Sequence, residues 1–106
     1  MKQYDFKSDA WNLLPQGNNF IGIRREVKGS EEEIRYRRHN HGDTGLSEAF
    51  YLLGGQALLY VNERELKLDP SKIVIVEPYD EHQLIKPAGS SMDVLVMTFK
   101  TKEQSF

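Results

Sequence analysis

The chain has 106 residues, of which 39% are hydrophobic and 10% aromatic, and it contains no cysteine. A domain typically has about 100–150 residues, so we expect one domain over residues 1–106 and no separate cofactor and substrate halves. The chain has 14 basic and 16 acidic residues, and the resulting formal charge of −2 argues against nucleic acid as a partner. No apolar run approaches the roughly 18 residues that span a bilayer, and residues 1–5 lead into no signal-peptide pattern. We therefore expect a cytoplasmic protein with no membrane partner.

Short apolar runs separated by turn residues predict strands, and no sustained helical period is present. The predicted strands are residues 20–27, 34–41, 49–53, 57–61, 65–68, 73–76, 82–86 and 94–99. One helical turn is predicted over residues 8–14, since Ser8 or Asp9 can cap it and Pro15 ends it. Residues 100–106 form a polar tail. Short strands at this spacing predict an all-β barrel or sandwich.

The three histidines of the chain are His39, His41 and His82. Residues i and i+2 of a strand share a face, so His39 and His41 can both reach a single metal ion. Glu48 opens the following strand and can return a carboxylate towards them. Since cysteine is absent, such a site would use imidazole and carboxylate ligands, which suit divalent iron, manganese, nickel, copper or zinc. The alternative interpretation is a pair of surface histidines on an edge strand.

The pattern His39-x-His41, then Glu48 and Gly55, and later Pro78-x-x-x-His82, resembles the two sequence motifs of the cupin superfamily. The resemblance covers roughly residues 34–99. It implies a small antiparallel β-barrel of jelly-roll type that binds a metal ion inside, with His39, His41, Glu48 and His82 as the ligands. The loop between His41 and Glu48 is longer than the family pattern, which a loop insertion explains. Asp43, within this loop, is the competing carboxylate.

Basic side chains near the predicted site have two interpretations. Strict alternation places Arg35 and Arg37 on the face of the two histidines, where Arg37 could clamp a substrate carboxylate or phosphate through its planar fork. For Arg35 we favour an ion pair with the glutamates at 31–33. The wider basic run is interleaved with glutamates and is interpreted as a solvated hairpin face. Its members are Arg24, Arg25, Lys28, Arg35, Arg37 and Arg38.

Apolar residues are expected to line a pocket beside the metal. By parity, Phe50 and Leu52 share the face of Glu48, and Leu84 shares that of His82, which favours a small, partly apolar ligand. Tyr79, in the loop before His82, is a candidate hydrogen-bond donor at the barrel mouth or else a surface residue. The candidates for a general base are Glu48, if it is not a ligand, together with Glu81 and Tyr79.

Three functions remain open from the sequence. The first is a metal-dependent enzyme of dioxygenase, isomerase or decarboxylase type, acting on a small organic substrate that can be anionic. The second is a ligand-binding or sensory barrel with a structural metal or none, and the third is a β-sandwich interaction domain with coincidental histidines. We also expect a homodimer, because open sheets leave edges that a partner can cover, and residues 20–27 form the strand most suited to this role.

Overall fold

The computed structural model describes residues 1–5 and 18–101. Within these residues the chain forms nine strands and no helix. The strands are β1 (Lys2–Asp5), β2 (Asn18–Lys28), β3 (Ile34–Arg35), β4 (Leu46–Gly55), β5 (Leu58–Val61), β6 (Arg64–Lys67), β7 (Lys72–Val76), β8 (His82–Lys86) and β9 (Met92–Thr101). The predicted helical turn and the tail beyond residue 101 lie outside the described residues.

The strands form two antiparallel sheets. One has five strands in the order β1-β7-β4-β9-β2, and the other has four strands in the order β3-β8-β5-β6. The predicted all-β fold is confirmed. Strand β1 is an addition to the prediction: its residues lack an apolar alternation, and it joins the sheet by pairing its backbone with β7. Across the described ranges, no helical segment has the length and apolar character needed to cross a membrane.

The core lies between the two sheets and is formed by alternate residues of each strand. Phe50 and Leu52 of β4 lie opposite Val96 and Val94 of β9, and all four are buried. Leu84 of β8 contributes from the other sheet. Phe50, Leu52 and Leu84 therefore face inwards, as the parity predicted, and Glu48 lies at one end of the same apolar face. Of the three, Phe50 and Leu84 line a cavity beside Glu48, whereas Leu52 packs in the core.

The second predicted strand is much shorter than expected. Only Ile34 and Arg35 form a ladder with β8, after which the chain stays beside β8 through single contacts: Tyr36 N donates to Leu84 O, and His39 exchanges two backbone hydrogen bonds with His82. Tyr36 packs against the core and His39 is half-buried, although strict alternation would place residues three apart on opposite faces. The irregularity, which resembles a bulge, turns the intervening side chains outwards.

Gly55, at the end of β4, has a backbone conformation that side chains rarely adopt. Its φ is 70°, and a Cβ there would clash with the carbonyl oxygen of Ser91. That oxygen is fixed because it accepts a hydrogen bond of 2.8 Å from Gln56 N. The glycine of the sequence motif thus permits the close approach that ends the strand carrying Glu48.

Replacing Gly55 should destabilise the fold. We expect Gly55→Ala to lower the free energy of unfolding by about 2 kcal/mol or more, because it combines a left-handed backbone with a steric clash. Chemical denaturation monitored by circular dichroism measures the change. Gly29→Ala is the matched control, since no heavy atom lies within 4 Å of a Cβ at that position. Equal stability of the two variants would contradict this account of Gly55.

Candidate metal centre

Backbone contacts bring the three histidines together at the start of β8. His82 is the first residue of that strand, and His39 forms an isolated bridge with it. His41 is held nearby because its N–H donates to the carbonyl of Pro78 at 2.7 Å. Glu48 approaches from β4 in the other sheet. The group therefore joins the two sheets of the fold.

The ligating atoms of these four residues converge. The Nε2 atoms of His39 and His41 are 3.2 Å apart, and Glu48 Oε1 is 2.9 Å from His41 Nε2 and 3.2 Å from His82 Nε2. One donor atom from each residue lies within 4.8 Å of all the others, so the group could hold a metal ion. Glu48 and His82 are only 4% and 2% exposed, whereas His39 and His41 are half-buried.

Two of the imidazoles are oriented by backbone carbonyls. Nδ1 of His39 donates to Arg37 O at 2.8 Å, and Nδ1 of His82 donates to Asp80 O at 3.0 Å. These bonds, inferred from the geometry, place the proton of each neutral ring on Nδ1 and leave Nε2 as an acceptor. Nε2 of His82 then faces a carboxylate oxygen, so two acceptors meet unless a cation or a second proton lies between them. Imidazoles oriented in this way are typical of metal ligands.

Glu48 remains ionised despite its burial. Burial by itself raises the pKa of Glu48, but the hydrogen bond with His82, the charge and hydrogen bond of Arg24 and the charge of His41 together lower it to about 2. Arg24 Nη1 donates to Glu48 Oε2 at 3.1 Å, and Thr98 Oγ1 donates to the same oxygen at 3.4 Å. The carboxylate is therefore available as an anionic ligand.

A cavity of about 290 Å³, including the open space at its mouth, adjoins the group. Phe50 and Leu84 give it apolar walls, and Arg24, Glu26 and Tyr36 give it a polar one. The hydroxyl of Tyr36 donates to Glu26 Oε2 at 3.0 Å, and burial, followed by that hydrogen bond, raises the pKa of Tyr36 to about 12. Its hydroxyl thus stays protonated at neutral pH. The cavity combines an apolar surface with oriented polar groups, as small-molecule sites do.

Several candidate residues from the sequence lie away from this cavity. The parity prediction for the two arginines is wrong: Arg37 is exposed, and Arg35 is exposed and donates to Glu33 at 2.7 Å, as the ion-pair alternative expected. The cause is the irregular segment after β3. Asp43 is exposed and outside the converging group. Tyr79 is 81% exposed and does not line the cavity.

The polar wall of the cavity is not among the predicted site residues. Arg24 lies on a strand whose basic residues are expected to form a solvated hairpin face, but its side chain is half-exposed and its guanidinium contacts both Glu26 and Glu48. The signal was the alternation of β2, in which Arg24 and Glu26 share one face while Ile23 and Val27 share the other. The apolar face of a strand is usually the inner one, whereas here Ile23 and Val27 are exposed.

No protein-family model matches the chain, and no curated protein matches it. The solved structure of a cupin protein from Bacteroides fragilis matches with a TM-score of 0.65 and 12% sequence identity, covering 99% of this chain and 81% of that one. The chain therefore has a cupin-like fold. It presents a group of three histidines and one glutamate that is compatible with a divalent metal.

The lowered pKa of Glu48 predicts a dependence of stability on pH. The carboxylate stabilises the folded state above its ordinary pKa of 4.5, and this contribution is lost as the pH falls towards about 2. We compare the free energy of unfolding of chelator-treated unmodified protein with that of chelator-treated Glu48→Gln. The excess stability of the unmodified protein should shrink by about 3 kcal/mol between pH 6 and pH 2. Urea unfolding across this range measures it. Glu65→Gln removes an exposed carboxylate on β6, and its stability relative to the unmodified protein should not depend on pH in this way. If the stability difference between the unmodified protein and Glu48→Gln stays constant from pH 6 to pH 2, the lowered pKa of Glu48 is contradicted.

Proposed function

We propose that this protein is a metal-dependent enzyme that acts on a small organic anion in the cavity. The proposed ligands are His39, His41, Glu48 and His82, and the metal is a divalent iron, manganese, nickel, copper or zinc ion. The observation that carries the proposal is the convergence of three imidazole nitrogens and a carboxylate oxygen within 4.8 Å of one another. The donor set fits such an ion, because neutral imidazole and carboxylate are its usual ligands.

The orientation of the histidines supports the same proposal. If His82 is neutral, its hydrogen bond to Asp80 O leaves an unprotonated nitrogen 3.2 Å from a carboxylate oxygen. Two facing acceptors repel each other, and a bound cation turns this repulsion into two favourable contacts.

The charges around the cavity favour a monoanionic substrate. The wall carries one guanidinium, from Arg24, and two carboxylates, from Glu26 and Glu48. A dication therefore leaves one net positive charge, which a singly charged carboxylate or enolate neutralises in a partly buried setting. Phe50 and Leu84 would hold the apolar part of such a molecule and exclude water from it.

When bound, the ion would supply Lewis-acid polarisation of a substrate oxygen or, for iron, copper or nickel, redox chemistry with dioxygen. The residues of the chain bind and orient the substrate. Tyr36, as a protonated hydroxyl, and Arg24 are the donors of the polar wall, while Phe50 and Leu84 form the opposing apolar surface. Dioxygenase, isomerase and decarboxylase reactions all fit this arrangement.

A second candidate function is a ligand-binding barrel without turnover, with a structural metal or none. One observation favours it: among the described residues, each buried side-chain polar atom has a hydrogen-bond partner within the protein. Glu48 in particular accepts hydrogen bonds from Arg24 and Thr98, and its other oxygen lies 2.9 Å from Nε2 of His41. Such a site can remain folded without an ion.

We also propose a homodimer that forms through β2. This strand lies at the edge of the five-stranded sheet, and its outer face exposes Ile21, Ile23 and Val27 by more than half of their surface. These apolar side chains flank Arg25, which forms an ion pair with Asp93, and an exposed edge strand of this kind is a surface that a second copy can cover. The cytoplasmic location and the single domain over residues 1–106 stay predictions.

Metal content tests the first proposal. Tag-free protein purified without chelators should carry about one metal ion per chain, and His82→Ala and Glu48→Ala should lose it, because each removes a ligand. Elemental analysis measures this. Asp43→Ala is the control and should keep the ion. If Asp43→Ala loses the metal ion and Glu48→Ala keeps it, Asp43 is the carboxylate ligand instead. If the unmodified protein stays metal-free after reconstitution, the second function is favoured.

A second experiment, on cobalt-loaded protein, distinguishes a catalytic metal site from a structural one. A catalytic site keeps a position for an exchangeable ligand, whereas a structural site is closed. Azide added to the cobalt-loaded protein should therefore change its visible absorption spectrum. A spectrum that does not respond to azide would support the non-catalytic barrel.

The proposed dimer is tested by the mass of the protein in solution. Gel filtration with light scattering should give twice the chain mass at micromolar concentration, and Ile23→Asp should give the monomer, because a carboxylate in the interface would be desolvated. Tyr79→Asp changes an exposed aromatic residue outside β2 and should remain dimeric. A monomer mass for the unmodified chain would contradict the proposal.

A further inference from the structure

The two oxygens of Glu48 have different partners. Oε1 faces Nε2 of His41 at 2.9 Å and Nε2 of His82 at 3.2 Å. Oε2 instead accepts hydrogen bonds from Arg24 at 3.1 Å and Thr98 at 3.4 Å. A carboxylate can bind a divalent ion through one or both oxygens. In this protein Oε2 is already engaged by Arg24 and Thr98, which leaves Oε1 for an ion.

Arg24 is itself held in place. Its Nε donates to Glu26 Oε1 at 2.9 Å, and the other oxygen of Glu26 accepts the hydroxyl of Tyr36 at 3.0 Å. The hydrogen bonds therefore run from Tyr36 through Glu26 and Arg24 to Glu48. Tyr36 packs against the core, which anchors the series at its far end. The planar guanidinium suits this position, because its fixed fork can serve two carboxylates at once.

The strand order explains how Arg24 reaches Glu48. Strand β9 lies between β2 and β4, and Thr98 of β9 is directly opposite Glu48. Arg24 is paired with Val96 of the same strand, so its side chain reaches the carboxylate across β9 on the inner face. Its neighbour Arg25 points to the outer face, where it binds Asp93 at 2.6 and 3.0 Å.

We propose that Arg24 is a positioning residue of the metal centre, which holds Oε2 of Glu48 so that Oε1 alone is presented to His41 and His82. This inference rests on the proposed metal-dependent function. Because Arg24 engages one oxygen with a charge-assisted hydrogen bond, the carboxylate is oriented before an ion binds. Without Arg24, Oε2 keeps only the longer hydrogen bond from Thr98 and can turn towards the ion, so that the ion's ligand environment changes.

The test uses the visible absorption spectrum of cobalt(II), whose band positions and intensities depend on the ligands around the ion. Unmodified protein, Arg24→Met, Arg24→Lys and Arg25→Met are loaded with cobalt, and metal content and spectrum are recorded. We expect Arg24→Met to shift the bands, with about one cobalt per chain retained. Arg24→Lys keeps a cation beside Oε2 and should stay close to the unmodified spectrum, as should Arg25→Met.

The outcomes separate the two proposals. If the unmodified protein binds no cobalt, the metal-dependent function falls and the role of Arg24 falls with it. If cobalt binds and Arg24→Met gives the unmodified spectrum, only the role of Arg24 is overturned. If Arg25→Met shifts the cobalt bands as much as Arg24→Met does, the role of Arg24 is also overturned, because the loss of any arginine from β2 would then explain the shift. Loss of cobalt from folded Arg24→Met, with retention in Arg24→Lys, supports it; circular dichroism verifies the fold.

Discussion

The structure depends on keeping one carboxylate ionised at the end of an apolar core. Glu48 occupies an inward position of β4, in line with Phe50 and Leu52, and it is 4% exposed. A buried charge of this kind is costly unless it is paired and hydrogen-bonded. The histidines on one side and Arg24 on the other supply those partners. Arg24 on the inner face of β2 and Thr98 of β9 both donate to this carboxylate, and Glu26, which accepts the hydroxyl of Tyr36, holds Arg24 in place.

Regular strands made much of the fold predictable. Alternation along β4 and β8 correctly placed Phe50, Leu52 and Leu84, because both strands pair on each side and bury one face against the core. The turn residues also gave most strand positions to within a few residues. Strand β1 was missed because its pairing depends on backbone hydrogen bonds rather than on an apolar pattern.

Prediction of the site was less direct. His39 and His41 do converge with His82 and Glu48, but through backbone contacts with His82 and Pro78 rather than through a continuous strand. The same irregularity misled the prediction for Arg37, since parity cannot be carried across a segment that is not regularly paired. Arg24 was missed because β2 exposes its apolar face. No single-strand pattern reveals such an inversion, which depends on what the rest of the chain places opposite it.

The converging group spans the two sheets, since Glu48 belongs to β4 and His82 to β8. An ion bound there would act as a cross-link, and its binding energy would add to the energy that holds the sheets together. An ion present at about a thousand times its dissociation constant contributes roughly 4 kcal/mol to the folded state. Occupancy of the site would then set how much of the chain is unfolded at any time, and an unfolded chain is what proteases reach.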